Sequence, residues 1–279
     1  MILKNKITKI IKNIQNELEK YITENKIKAF ICGISGGIDS CVTVALAEEV
    51  CKTKNISLIG RSLPIMTNKK NEIERAELVG NAFCTDFAEK DLSNIYTTFH
   101  QECEFNNDEI DDLIRKGNIK ARIRMIYLYD LARQHNGLVL STDNLTELLL
   151  GFWTLHGDVG DLGMLQNLWK TEVYAIAEHL YYEESAKYLV FKKSSDIKVE
   201  ALKKCIDATP TDGLGITNSD IEQLGVKSYD EADTILKSWL KEQPDEYKNH
   251  SIIQRYQRTH FKRNNPYNFS RDLLFEGIK

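Results

Sequence analysis

The sequence predicts an α/β fold, a doubly wound parallel sheet with flanking helices on both faces. Short apolar, β-branched runs alternate with longer segments of helical periodicity, and this alternation favours a parallel sheet. No linker rich in proline or serine divides the chain, so a single domain over residues 1–279 is expected. Two polar segments, 33–40 and 141–147, both begin where a predicted strand ends. Ligands of such sheets bind beyond the carboxyl ends of the strands, so these segments are the candidate site.

The first predicted element is an amphipathic helix. Its apolar residues recur at helical spacing between Lys, Asn and Glu, at Ile7, Ile10, Ile11, Ile14 and Leu18. No apolar run reaches the length of a signal peptide or a membrane span. The expectation is therefore a cytoplasmic protein that does not enter a membrane.

Strands and helices then alternate along the chain. Strands are predicted in KAFICGIS, ISLIGRSLPI and GLVLST (137–142), and helices in DSCVTVALAEEVCK, NEIERAELVGNAF and GNIKARIRMIYLYDLARQ. The acid-rich segment 104–117 is predicted to be a solvated connection. The tail from residue 196 is predicted to be polar and irregular, with a basic helix end within 249–269.

Charge and cysteine content exclude several classes of protein. The formal net charge of −4 argues against bulk binding of nucleic acid, which usually requires a basic surface. Six scattered cysteines without a C-x-x-C pair argue against a structural zinc site and against a disulfide framework. Cys32 and Cys41, which flank the first polar segment, are interpreted as small buried core residues rather than redox groups.

The stretch SGGIDS at 35–40 has the chemistry of a phosphate-binding loop. Two glycines after a strand allow a sharp turn that brings backbone N–H groups close to a ligand, and the following helix directs its dipole at the same point. No lysine follows as it does in a P-loop, so Asp39 is expected to hold Mg²⁺ on the phosphates. The alternative is a tight turn in which Asp39 is a helix N-cap.

Together with GNIKARIRM (117–125), STDNLTELLLGFWT (141–154) and LWKTEVY (168–174), this loop resembles the N-type ATP pyrophosphatases. Within that group the chain is similar to the ammonia-dependent NAD synthetase family over most of residues 8–270. The resemblance implies an adenine nucleotide alpha hydrolase-like fold and a homodimer. It also implies ATP-dependent amidation of nicotinic acid adenine dinucleotide with ammonia, through an acyl-adenylate, with release of AMP and pyrophosphate. No added segment has the length of a glutaminase domain.

The resemblance also assigns site residues by position. Asp39 and Lys170 are the expected catalytic residues, and Asp39 and Glu147 the expected Mg²⁺ ligands. The expected ATP-binding residues are Gly33, Ile34, Ser35, Gly36, Gly37, Ile38, Asp39, Ser40, Thr142, Lys170 and Thr211. The expected contacts to the acid substrate are Arg122, Asp161, Phe261 and Lys262.

Each assignment has an alternative interpretation from the residues alone. Thr142 or Asp143 would serve as a cap of the following helix, and Arg122 and Arg124 as charges on the wet face of a helix. Lys170 would be a surface lysine, but it lies near the start of a predicted helix, where the helix dipole disfavours a cation, so a further reason for its position is expected.

One segment departs from the family pattern T-K-Y-G-D-G-G-x-D. Here the chain reads T-L-H-G-D-V-G-D over 154–161, so Leu155 replaces a lysine and one residue is missing. Leucine offers no charge to a carboxylate or a phosphate, and the register of Asp161 is shifted. Amidation of a related acid, such as nicotinate mononucleotide, is therefore the alternative, and a tRNA-modifying pyrophosphatase is a second one from another class.

Overall fold

The computed structural model describes residues 2–66, 68–105, 109–191, 196–211 and 219–275. Its strands are β1 (Ala29–Gly33), β2 (Ser57–Ser62), β3 (Asp86–Glu89), β4 (Gly137–Ser141) and β5 (Leu162–Gly163). Its helices are α1 (Ile2–Asn25), α2 (Ile38–Lys54), α3 (Lys70–Phe83), α4 (Ser93–Gln101), α5 (Glu109–Gln134), α6 (Leu145–Leu150), α7 (Lys170–Phe191), α8 (Asp196–Ile206), α9 (Asp220–Leu224), α10 (Tyr229–Glu242), α11 (Ser251–Arg258), α12 (His260–Arg263) and α13 (Arg271–Phe275).

Within the described residues the strands form one five-stranded sheet in the order β3-β2-β1-β4-β5. Every neighbouring pair is parallel, with Ala29 opposite both Ser57 and Gly137. The order reverses between β1 and β4, which is the switch point at which such sheets open a crevice for a ligand. The predicted doubly wound parallel sheet is confirmed.

Both faces of the central strand are buried, as expected for a parallel sheet covered by helices. Phe30 and Cys32 point into a core shared with α2, α3 and α8. Ala29 and Ile31 point to the opposite face, which α4 and α5 cover. A third core lies between α6, α10 and α11, and it includes Leu150, Leu236 and Ile252.

Helix α1 has the predicted amphipathic pattern. Ile7, Ile11 and Leu18 are buried, and α1 packs against α2 and α7. Among the residues that the structure describes, no helix combines the length and apolar character that a membrane span needs.

Two expectations from the sequence are wrong. Residues 109–117 belong to α5 rather than to a solvated connection, and Asp112 is buried there beside Arg115. The tail from residue 196 is largely helical, since α8 and α10 carry apolar residues at helical spacing that pack against the rest of the domain. Residues 212–218, which were expected to form a loop, lie outside the described residues.

Candidate active site

The loop between β1 and α2 turns at Gly36. Its φ of +79° is in the left-handed region, and a Cβ there would lie 2.4 Å from the carbonyl oxygen of Glu72. The Gly36 carbonyl accepts a hydrogen bond from Arg75 Nε at 2.9 Å, which fixes the loop against α3. This position therefore requires glycine for both conformation and space.

Helix α2 begins directly after this loop. Its N-cap, Gly37, provides no side-chain cap, so the positive end of the helix dipole faces the mouth of the sheet. The Ser35 and Ser40 hydroxyls lie 3.2 Å apart, and Ser40 Oγ donates to the Gly37 carbonyl at 3.0 Å. A helix N-terminus of this kind favours an anion such as a phosphate.

The second predicted segment forms the other side of the mouth. β4 ends at Ser141, and α6 begins after Asn144, whose side chain accepts a hydrogen bond from the Glu147 N–H at 3.1 Å. Asn144 Nδ2 also donates to Asp39 Oδ1 at 2.8 Å, so one buried amide joins the two segments. Asn144, rather than Thr142 or Asp143, is the cap of this helix.

Asp39, Glu147 and Lys170 meet at this point. Lys170 is the first residue of α7, and its side chain is only 3% exposed. Its Nζ donates to Asp39 Oδ2 at 2.5 Å and to Glu147 Oε1 at 2.8 Å, and it lies 5.3 Å from the centre of the Tyr229 ring. The structure thus brings the two predicted carboxylates together on one cation.

The charges at this centre perturb one another. Burial disfavours the charged form of Lys170, but the adjacent Asp39 and Glu147 carboxylates outweigh it and raise the pKa of Lys170 well above its usual value. Burial and the Asp39 charge raise the pKa of Glu147, while Lys170 opposes that shift. Burial, with the Asp158 charge second, raises the pKa of Asp143 to about 7. These shifts reflect several carboxyl groups crowded around one buried ammonium, an arrangement to which a further cation could bind.

The altered segment 154–161 packs against α5. Arg122 donates from Nε and Nη2 to the Leu155 carbonyl, at 3.2 and 3.1 Å. Thr154 Oγ1 donates to Asn118 Oδ1 at 2.8 Å, and the Thr154 N–H donates to both carboxylate oxygens of Asp158 at 2.9 Å. Arg122 is thus placed at this segment, and it contacts the backbone of Leu155 rather than its side chain.

Lys262 and Phe261 lie on α12 with different environments. Lys262 Nζ donates to the carbonyls of Gly151 and Trp153, at 2.8 and 2.5 Å, and burial lowers the pKa of Lys262. Phe261 is 62% exposed. Lys262 therefore holds the segment that follows α6, whereas Phe261 faces solvent.

The remaining predicted site residues lie at the margins of the site. Asp161 accepts from the Val139 N–H at 2.9 Å and from Tyr129 Oη at 3.1 Å, which ties the start of β5 to β4 and α5. Thr142 is half-buried in the segment after β4, and Thr211 is half-buried at the end of a described range.

Sequence reasoning missed three contributors to the centre, Asn144, Tyr229 and Asp233. The capping pair Asn144 and Glu147, three residues apart, could have been recognised as a helix start. Tyr229 and the buried Asp233 come from α10 and carry no local signal, since only the fold brings them to α7.

One family of known proteins matches this chain over most of its length. A family model described as NAD synthase matches residues 10–266. The chain belongs to the NAD synthase family. As a member, it is an enzyme of NAD biosynthesis, a ligase that forms a carbon–nitrogen bond with ATP as co-substrate.

Relatives of the NAD synthase family match nearly their full length. The NH(3)-dependent NAD(+) synthetase of Thermoplasma volcanium is 33% identical over 270 residues, covering 95% of this chain and 98% of the relative. The enzyme of the same name from Mycoplasma genitalium is 31% identical over 280 residues, covering 97% and 99%.

Solved structures agree with this fold. The NMN synthetase from Francisella tularensis has a TM-score of 0.74 at 26% identity and covers 92% of this chain and 95% of its own. The NH3-dependent NAD synthetase from Campylobacter jejuni, at 22% identity, shares the fold with a TM-score of 0.68 over 95% and 99%.

Proposed function

We propose that this member of the NAD synthase family amidates the nicotinate carboxyl of nicotinic acid adenine dinucleotide with ammonia. A carboxylate oxygen attacks the α-phosphorus of ATP, the bond to the β-phosphate oxygen breaks, and an acyl-adenylate and pyrophosphate result. The ammonia nitrogen then attacks the acyl carbon, AMP leaves with the carboxylate oxygen, and a proton is released. The observation that carries this proposal is the meeting of Asp39, Glu147 and Lys170 at the N-terminus of α2.

The protein needs no nucleophile of its own for this reaction, because positioning and charge neutralisation supply the catalysis. The loop Gly33–Ser40 offers backbone N–H groups and two hydroxyls to the phosphates. Lys170 offers its ammonium to the phosphate charge, which requires that it release part of its contact with the carboxylates. Thr142 and Thr211 complete the proposed ATP contacts.

The residues present fit Mg²⁺. Asp39 and Glu147 supply carboxylate oxygens, the ligand type that this ion prefers, and both face one point. In the described part of the chain no group of three or more His, Cys, Asp or Glu residues suits a metal, so the remaining ligands in this proposal are phosphate oxygens and water. Bound there, Mg²⁺ would neutralise phosphate charge.

Arg122, Asp161, Phe261 and Lys262 are the proposed contacts to the acid substrate. Arg122 of α5 and Lys262 of α12 both bring positive charge to the segment 151–158, which suits an anionic mononucleotide or dinucleotide. We propose one domain that uses free ammonia, and a homodimer as in the family to which the resemblance pointed. Sedimentation equilibrium of the purified chain measures the dimer directly.

Nicotinate mononucleotide is the second candidate substrate. Leu155 stands where the family pattern has a lysine, and the similar structure from Francisella tularensis is named NMN synthetase. A substrate without the adenylate half would make fewer contacts, so loss of a charged contact at 155 is consistent with it.

One assay separates these functions. Purified protein with ATP, Mg²⁺ and ammonium is offered the dinucleotide, the mononucleotide or tRNA, and AMP release is measured. The proposal predicts AMP and NAD with the dinucleotide. AMP release with the mononucleotide alone would replace it by the second candidate, and AMP release with tRNA alone would place the chain in the other class.

A further inference from the structure

Asp233 is a carboxylate enclosed between three helices. It lies on α10 and is only 1% exposed. Its Oδ1 accepts from Thr146 Oγ1 of α6 at 2.5 Å, and its Oδ2 accepts from Thr171 Oγ1 at 2.7 Å and from the Thr171 N–H at 3.1 Å. A buried carboxylate is costly unless it is hydrogen-bonded, and these three donors satisfy it.

The same network reaches the backbone of Lys170. The Lys170 N–H donates to Thr146 Oγ1 at 2.9 Å, and that hydroxyl in turn donates to Asp233. The first two N–H groups of α7 are therefore both capped through Asp233, directly at Thr171 and through Thr146 at Lys170. Its negative charge at this helix N-terminus also complements the helix dipole.

This network controls where the Lys170 ammonium lies. The side chain leaves the backbone at the capped residue and ends between Asp39 and Glu147, at 2.5 and 2.8 Å. Thr146 belongs to the same short helix as Glu147, so Asp233 fixes the cation and one of its two carboxylate partners relative to each other. A shift of α7 against α6 would change both distances.

We infer that Asp233 is a positioning residue for Lys170. This inference rests on the proposed function, in which Lys170 contacts the ATP phosphates. Asp233 does not touch the substrate; it acts by holding the start of α7 against α6. A residue that only joined helices would stabilise the fold without positioning Lys170. The two roles can be distinguished by measurement.

A double-mutant cycle on ATP affinity measures the coupling between Asp233 and Lys170. The affinity is determined by calorimetry in the presence of Mg²⁺ and without any acid substrate. Asp233→Asn keeps the size of the side chain but replaces one acceptor by a donor that faces donors. Lys170→Met removes the ammonium. Each single change is expected to weaken ATP binding about tenfold or more, because misplacement by about 1 Å is enough to lose the contact. In the Lys170→Met background, Asp233→Asn is expected to change affinity less than about twofold.

Glu48→Gln is the matched control. Glu48 is also a buried carboxylate that joins two helices, since it pairs with Lys198 of α8, but it has no link to α7 among the described contacts. It is expected to lower the melting temperature while leaving ATP affinity within about twofold. If Asp233→Asn behaves in the same way, or if its effect is undiminished in the Lys170→Met background, the inference is overturned. An unchanged affinity in Lys170→Met overturns it as well.

Thr171 provides a second test should Asp233→Asn not fold. Thr171→Val removes one donor to Asp233 and is expected to weaken ATP binding severalfold, whereas Thr171→Ser keeps the hydroxyl and is expected to restore it. Equal affinity in the two variants contradicts the inference. Because ATP binding needs no acid, failure of the dinucleotide assay with intact coupling between Asp233 and Lys170 would reject the proposed substrate alone.

Discussion

At the scale of single residues, the site depends on contacts between side chains of opposite charge. Asp39 and Glu147 share the Lys170 ammonium, and the Asn144 side chain donates a further hydrogen bond to Asp39. The sequence predicted Asp39 and Glu147 as partners because each follows a strand end. The position of Lys170 between them was not predictable, since its expected contact was the nucleotide.

Gly36→Ala tests the conformation of the phosphate loop. The left-handed φ and the close approach to Glu72 are expected to cost about 2 kcal/mol or more of unfolding free energy, measured by urea denaturation. Gly37→Ala is the control, because Gly37 has φ −87° and a Cβ there would lie 3.3 Å from the Ser35 hydroxyl oxygen. Equal losses in the two variants would contradict this account of Gly36.

Asp39→Asn and Glu147→Gln are each expected to lower turnover about 100-fold or more, because each removes a carboxylate proposed to hold the Mg²⁺ that neutralises the phosphates. The fold is expected to persist, since either variant leaves Lys170 paired with one carboxylate. Steady-state AMP release and circular dichroism measure the two effects. Glu49→Gln, an exposed change on the same helix as Asp39, is the control for activity. Normal turnover in both site variants would refute the assignment.

The pH dependence of stability tests the buried Asp143. Its pKa is about 7 in the folded protein against 3.8 for the free side chain. Between these values the folded state keeps a proton that the unfolded chain has lost, so the unfolding free energy falls as pH rises from about 4 to 7 and then levels.

Asp143→Asn removes this titration. Relative to the variant, the unfolding free energy of the native chain is expected to fall by on the order of 2 kcal/mol between about pH 4.5 and 7.5. Denaturation in the absence of metal measures this change. A constant difference in unfolding free energy between the two proteins across this pH range would show that Asp143 ionises normally.

At the scale of elements, the strands and helices of the α/β part were predictable because each carries its own periodicity. The helix at 109–117 was missed because its acidic residues resemble a solvated connection, although Asp112 faces inward to Arg115. The tail was missed for a different reason. Helix α10 carries apolar residues at helical spacing, but polar stretches that resemble loops flank it, and the core that it shares with α6 and α11 is visible only in the fold.

Ile253→Ala tests the third core. Ile253 lies on α11, is fully buried and packs in the cluster that includes Leu150 and Leu236. Its truncation is expected to lower the unfolding free energy by about 3 kcal/mol, through lost burial and the cavity that remains. Leu240→Ala on α10 is the control, since that side chain is 48% exposed and is expected to cost less than about 1 kcal/mol. Similar losses would indicate that this core does not support the fold.

At the scale of the whole molecule, the sheet order places the site. The reversal between β1 and β4 brings the phosphate loop and α6 together, and both were predicted from strand ends alone. The resemblance assigned Lys170 of α7 and Lys262 of α12 to the site, but the contacts of these side chains and the approach of Tyr229 from α10 were not predictable, because these helices are distant in sequence and reach the site only through packing. The sequence therefore predicted the segments at the strand ends better than the side chains that distant helices bring to them.

The central claim is that this site activates a carboxylate by joining it to the α-phosphate of ATP. Oxygen-18 placed in the carboxyl group of nicotinic acid adenine dinucleotide measures that step directly, with AMP and pyrophosphate analysed by mass spectrometry after turnover with Mg²⁺ and ammonium. The account predicts one labelled oxygen in each AMP formed and none in pyrophosphate. Unlabelled AMP, or label in pyrophosphate or inorganic phosphate, would contradict it.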